Sequence, residues 1–270
     1  MADKVLYEVR ERIAYVTFNR PEAKNAIDSE MQEQCVATWT RFRDDPDADV
    51  AILTGAGDAF CAGADLKEYI PPIIRGERRM RDIVDVGFGG FTRGLHRIYK
   101  PVIGAINGWA LAGGLEQALA CDIRVASDRA MFGSFEARRG YHHGDGGIVR
   151  LVNTCGTGVA MHMLLTAEPV NAAQALEWRI VTRVVAHDEL MDEAELVARQ
   201  ILRNSQVAVR SAKETIMEVI GKDLDSQLRT EAWNAYNCAD PQETLELLQR
   251  FYDKSDAGRA GTHATPLAGD

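Results

Sequence analysis

No C-x-x-C pair occurs in this 270-residue sequence, and its five cysteines, at 35, 61, 121, 155 and 238, are odd in number and scattered. That pattern supports neither a disulfide framework nor a paired-cysteine zinc site, and it points to a reducing compartment. No apolar run approaches the roughly 20 residues that cross a bilayer. Residues Met1 to Glu8 hold no apolar stretch and carry two acids, so they read as neither signal nor transit peptide. A cytoplasmic location without a membrane partner is expected. Positive charge is in deficit as well: 31 Lys and Arg face 40 Asp and Glu, a net charge of −9. An acidic chain is a poor partner for nucleic acid, and none is expected.

Nucleotide and hydrolase fingerprints are missing too. Gly55-Ala56-Gly57 follows a strand-like run, but the third glycine of G-x-G-x-x-G is replaced by Phe60. Neither G-x-x-x-x-G-K-[ST], nor G-x-S-x-G, nor H-E-x-x-H occurs. His142, His143 and Asp145 are metal-ligand types, yet adjacent histidines on a short loop seldom converge on one ion, so no metal is expected. No repeat of fixed period and no Pro-, Gly- or Ser-rich linker divides the chain.

What is present is ordinary globular sequence, 46% hydrophobic and 26% charged. Residues 5–18 predict a β-hairpin. Ser29-x-x-Gln32 has capping-box form, and Met31, Cys35, Trp39 and Phe42 follow at helical spacing, which predicts a helix over 29–43. Val50–Thr54 and Pro101–Ile106 read as strands buried on both faces. A surface loop over 70–80 should lead into a helix ending near Tyr99, and a small-residue helix should start near Gly113. Further strands are expected over 122–126, 130–132 and 180–185. Strands alternating with helices predict an α/β core with parallel strands. The chain after 190 reads as helical, and 256–270 as a disordered tail.

Three glycine-flanked segments follow strands: Phe60–Lys67, Asn107–Glu116 and Phe132–Gly140. Ligands of open α/β sheets bind beyond the carboxyl ends of strands. Small residues there let backbone N–H groups approach a ligand, and a helix N-terminus favours developing negative charge. Two such donors make an oxyanion hole, and Glu116 and Glu136 could supply a general base and a general acid. Among 40 acids the spacing alone does not decide between a catalytic pair and two unrelated carboxylates.

Asn19-Arg20-Pro21 with Asn25-Ala26, Phe60–Lys67, Ala105–Glu116, Ala120–Ala126, Ala130–Gly133 with Glu136, Gly146-Gly147 before Arg150-Leu151, and Ala172–Val184 stand in the order and spacing of the crotonase (enoyl-CoA hydratase/isomerase) superfamily. The resemblance covers about residues 4–255. It implies a spiral of ββα units, with a core over 1–195 carrying the site and a helical region over 196–255 that builds homotrimers or dimers of trimers. It implies an acyl-CoA thioester substrate, coenzyme A being part of that substrate and no separate cofactor being needed. By motif, the N–H groups of Ala64 and Gly113 would hold the thioester oxygen. Glu116 would activate water and Glu136 would protonate C2. Ala62, Asp65, Leu66, Lys67 and Gly114 would contact substrate. Lys24, Lys67, Arg75, Arg78, Arg79 and Arg81 are the candidate cations for the CoA phosphates.

Two departures stand out. Phe135 replaces the proline that usually precedes the second glutamate. Tyr141-His142-His143-Gly144-Asp145 replaces an apolar stretch, so Tyr141, His142, His143 and Asp145 are expected to lie near the acyl pocket and make it more polar, with Tyr141, His142 and Asp145 contacting substrate. The expected activity is an enoyl-CoA hydratase, a lyase. A divergent crotonase reaction on a polar acyl-CoA, and a non-catalytic acyl-CoA- or RNA-binding homologue, remain as alternatives.

Overall fold

The computed structural model describes residues 3–77, 87–93 and 97–261. The chain divides into two compact units, 1–203 and 204–270.

The first unit is built on two sheets. Strands β1 (Val5–Arg10), β2 (Ile13–Phe18), β3 (Val50–Gly55), β5 (Val102–Ile106), β7 (Ile123–Ser127) and β10 (Arg183–Val185) form one sheet in the order β1-β2-β3-β5-β7-β10. Only the β1–β2 hairpin is antiparallel; the other pairings are parallel. Strands β4 (Ala59–Cys61), β6 (Trp109–Leu111), β8 (Met131–Gly133) and β9 (Val170–Asn171) form the other, in the order β4-β6-β8-β9. After β3, β5 and β7 the chain steps from the large sheet to the small one at β4, β6 and β8. Each step advances one position along both sheets. This is the spiral of repeated units that the family resemblance implies, and the α/β class is as the strand–helix alternation requires.

The central strands are buried on both faces. Leu53, Ile106 and Ala126 face one core cluster with Trp39, Phe42 and Phe60, while Ile52, Ile103 and Val125 face a second against helix Leu190–Leu202. That helix presents Leu190, Ala194, Val197 and Ala198 to the sheet, so it belongs with the first unit and the boundary falls at 203 rather than 195. Helix Ser29–Asp44 begins one residue earlier than the capping-box reading requires. Asp28, not Ser29, is its cap: the Asp28 carboxylate accepts from Met31 N at 2.8 Å. Gln32 is thereby freed to accept from Gly89 N at 2.7 Å and to donate to Gly87 O at 3.0 Å.

The segment 70–80 opens with a short helix, Ile70–Ile74. Most of the helix expected to end near Tyr99 falls outside the described residues. Helix Gly147–Thr166 is the one described helix long and apolar enough to cross a membrane, with mean hydropathy 1.3. Gly156, at φ +79° and ψ 166°, breaks it into two segments. Each is about 15 Å long at 1.5 Å per residue, half the ~30 Å hydrocarbon thickness.

The described residues of the second unit form three helices, Gln206–Val219, Leu224–Asn237 and Pro241–Gly261, the first two capped by Ser205 and Asp223. Ser205 Oγ also donates to Glu243 at 2.6 Å, and Asn234 Nδ2 to Thr215 Oγ1 at 3.0 Å. The last helix runs through 256–261, the start of the segment that composition assigns to a tail. Trp233, Tyr236 and Phe251 are 72%, 88% and 67% exposed, an unusual display of large apolar groups.

Candidate active site

The carboxyl ends of β3–β4, β5–β6 and β7–β8 open into one cavity of about 920 Å³ in the first unit. Its size suits a small-molecule ligand. Ala62, Ala64, Asp65, Leu66 and Lys67 line it from the first segment, and Gly113 and Glu116 from the second. Glu136, Tyr141, His142 and Asp145 line it from the third. Gly114 does not. It serves close packing instead, since a Cβ on it would stand 1.9 Å from the Cys61 carbonyl oxygen.

Two backbone donors meet at the cavity wall. Gly63, at φ +94°, packs so tightly that a Cβ would meet Leu111 O at 2.9 Å and Gly113 N at 3.0 Å. The loop around Ala64 is thus pressed against the start of helix Gly113–Ala120. Gly63 O accepts from Ile27 N, and Asp65 N donates to Ile27 O, which leaves the intervening Ala64 N–H outside that pairing. Ala112 sits at φ +53°, ψ −122°, a strained conformation for a residue with a Cβ. It sets the entry to the helix, whose first N–H, that of Gly113, has no intrahelical acceptor. Among the described residues neither the Ala64 nor the Gly113 N–H donates to a protein acceptor.

Asp65 is held by structure as well as lining the cavity. Its carboxylate takes Arg20 Nη1 at 2.7 Å and accepts from Lys67 N at 2.8 Å. Burial pushes its pKa up, but Arg20 and the two backbone N–H groups of Lys67 and Glu68 outweigh this and hold it below the ordinary value. Of the candidate cations, Lys67 lines the cavity, Lys24 pairs with Asp58, and Arg75 pairs with Glu77. Arg78, Arg79 and Arg81 lie outside the described residues. Arg20 and Arg139 also line the cavity, and the sequence reading passed over both.

At the inner wall of the cavity the two glutamates converge, both 4% exposed. Glu116 Oε1 accepts from Asp145 N at 2.7 Å and Gly147 N at 3.0 Å. His143, expected near the acyl pocket, places its imidazole between them. Its Nδ1 is 3.3 Å from Glu116 Oε1 and 2.9 Å from Glu136 Oε1, aligned for a hydrogen bond with neither. Nε2 is 2.8 Å from Ser134 Oγ, which is 3.5 Å from Glu136 Oε2. Burial alone would lower the His143 pKa; the two carboxylates overcome it and raise the imidazole to about 9. Burial also pushes Glu116 up, but His143 and the N–H groups of Gly147 and Asp145 bring it below its usual value.

One ligand atom from each of Glu116, Glu136 and His143 falls within 4.8 Å of the others, a donor set that suits a divalent cation by type. Ligation needs neutral imidazole, so a cation would have to displace the Nδ1 proton that the carboxylates stabilise. The neighbouring side chains are differently employed. Asp145 turns its carboxylate to Phe88 N at 2.8 Å and Arg93 Nε at 3.1 Å, anchoring residues 88–93. His142 is exposed at the rim, its Nδ1 2.7 Å from His143 O. Burial and the nearby Glu136 push the Tyr141 phenol up.

The sequence and the fold match known proteins. Residues 8–259 match the enoyl-CoA hydratase/isomerase family. The chain belongs to that family. Its relatives include the short-chain-enoyl-CoA hydratase of Clostridium acetobutylicum, 35% identical over 93% of this chain and 95% of that one. Another is the (E)-benzylidenesuccinyl-CoA hydratase of Thauera aromatica, 40% identical over 82% and 84%. The crystal structure of the enoyl-CoA hydratase from Bacillus anthracis superposes with a TM-score of 0.85 at 32% identity, covering 93% of this chain and 96% of that one. As a family member with hydratase relatives, the protein is a lyase of the enoyl-CoA hydratase type.

Proposed function

We propose that this protein hydrates a 2-enoyl-CoA, adding water across the C2–C3 double bond, with coenzyme A carried on the substrate and no further cofactor. The observation that carries the reading is the opening of two unpartnered N–H groups, from Ala64 and Gly113, into the cavity that Glu116 and Glu136 also line. Those donors would take the thioester oxygen as it gains charge, lowering the barrier to an enolate. Glu116, held ionised by two backbone N–H groups and His143, is the base that takes a proton from water as its oxygen attacks C3. Glu136 delivers the proton to C2.

Lys67 and Arg139, which line the cavity among the acids Glu22, Asp65 and Glu68, are the cations that would meet the phosphates of coenzyme A. Tyr141 and His142 at the rim favour an acyl group with polar character over a plain alkyl chain, and a relative named for benzylidenesuccinyl-CoA supports this. The apolar groups exposed on the unit 204–270 support self-association into trimers or dimers of trimers. The test is the ultraviolet absorbance of the conjugated enoyl thioester, followed on adding enoyl-CoAs that vary in length and terminal polarity. Loss of absorbance with at least one of them supports the reading; none, from folded protein that binds coenzyme A, refutes it.

A further inference from the structure

Paired glutamates suffice to describe water addition, yet here a third ionisable group is wedged between them. His143 is 4% exposed, and three observations fix its orientation. Ser134 Oγ donates to the Glu136 carboxylate, so the serine oxygen accepts from Nε2–H of His143. That leaves Nδ1 as the atom that gains and loses a proton. Nδ1 stands 2.9 Å from one glutamate oxygen and 3.3 Å from the other, within reach of both, and a small turn of the ring aligns it with either in turn. The start of helix Gly147–Thr166 closes the back of the ring, since a Cβ on Gly147 would lie 2.5 Å from both Cγ and Nδ1 of His143.

We propose that His143 is a positioning residue that carries a proton from Glu116 to Glu136, so that the glutamates are reset inside the site. The proposal rests on the hydratase reading above. Water oxygen forms its bond to C3, its proton passes to Glu116, and the C2–C3 π electrons move toward the thioester carbonyl as an enolate. As the enolate collapses, the imidazolium Nδ1 passes its proton to the ionised Glu136, which hands it on to C2. Neutral Nδ1 then takes the proton held by Glu116. One hydroxyl and one hydrogen have been added to carbon, and the three side chains end as they began.

The proton gradient across the group suits that direction. The low pKa of Glu116 makes it release a proton readily, and His143, raised to about 9, is the adjacent acceptor. The other groups that face the triad are Ser134 and Tyr141 on its own segment and Asp145 beside it. From the flanking elements come Arg150, whose charge acts on Glu116, and Arg93, which is paired with Asp145. Without His143, each turnover would wait for solvent to move a proton between two buried carboxylates.

The experiment combines histidine-selective ¹⁵N NMR with kinetics on the full-length protein. Six histidines are present, and His143 is identified by the resonances lost in H143N. In wild type its imidazolium signals should persist to about pH 9, and E116Q or E136Q should each lower the midpoint by at least a unit. H143N, whose amide keeps a donor near the carboxylates but cannot pass a proton on, should lose kcat on the order of 10²-fold, the lower end of a general acid–base contribution. Its KM should stay within about threefold, and the alkaline limb near pH 9 should vanish. Should H143N fail to fold, S134A serves instead: freed from its anchor, the imidazole should show a severalfold drop in kcat with KM retained. Hydration by wild type with His143 titrating near 6.5, or a variant kcat within about twofold of wild type, overturns the relay alone. Wild type inert toward every enoyl-CoA overturns the hydratase reading and the relay together, whatever His143 titrates at.

Discussion

His143 Nδ1 lies 2.9 Å from Oε1 of Glu136, with both side chains buried. The contact ties stability to pH. Burial opposes the charge, but the carboxylates raise the imidazole from 6.5 to about 9, so its contribution is complete below 6.5 and disappears as pH rises through about 9. The magnitude is on the order of 3 kcal/mol at roughly 1.4 kcal/mol per unit. Glu116 works in the opposite sense: depressed below 4.5, it contributes above that pH and loses its contribution on acidification. Melting temperature should therefore be highest between about pH 5 and 6.5 and fall toward pH 9. In H143N the fall over the upper window should be absent, as read by calorimetry.

Replacing either glutamate removes an acid–base group without removing the cavity. E116Q and E136Q should each lower kcat on the order of 10²–10⁴-fold. Binding of a saturated acyl-CoA, measured by calorimetric titration, should change little. Wild-type kcat in either variant would remove that residue from the chemistry.

Gly63 touches the donors without being one. An alanine there would strain a φ of +94° and push on Leu111 O, Ala112 Cβ and Gly113 N. G63A should separate the two N–H groups and cost on the order of 10²–10³ in kcat, the loss seen when one oxyanion donor is misplaced. A KM that rises with kcat unchanged would show that the loop serves binding only.

Much of this was legible in the sequence, for physical reasons that can be named. Trp39 and Phe42 at helical spacing, and the wholly apolar runs of β3 and β5, carry their own periodicity. The three-residue strands β4, β6 and β8 do not: they are too short to alternate and are defined by partners distant in sequence. The cap of the first helix moved from Ser29 to Asp28 because both residue types cap equally well. The segment Tyr141–Asp145 was recognised as a departure, but which histidine entered the site was not, since adjacent residues on a loop have no period to say which turns inward. Tertiary contact with Ser134 and Gly147 decides it. Asp65 and Asp145 read as ligand groups from position alone, while their carboxylates are engaged by Arg20 and Arg93.

Arg20 is expected to matter for architecture as much as for substrate. It pairs with Asp65 at 2.7 Å and lies 3.4 Å from Asp28, the cap of the first helix. Asp28 keeps Lys4 at 2.7 Å, but the largely buried Asp65 loses its cation, so R20A should cost on the order of 2 kcal/mol by chemical denaturation. It should also raise KM for the CoA thioester. A stability loss below about 1 kcal/mol, the range of an exposed pair, would contradict this role.

The central claim is that Glu116, Glu136 and the two loop N–H groups together add water to an enoyl thioester. Its most direct measurement is the product formed from a 2-enoyl-CoA in H₂¹⁸O, read by mass spectrometry. The account expects a 3-hydroxyacyl-CoA carrying one ¹⁸O on the acyl chain, formed by wild type and lost in E116Q. Free coenzyme A with a labelled carboxylic acid, or unchanged substrate from folded wild-type protein, would contradict it.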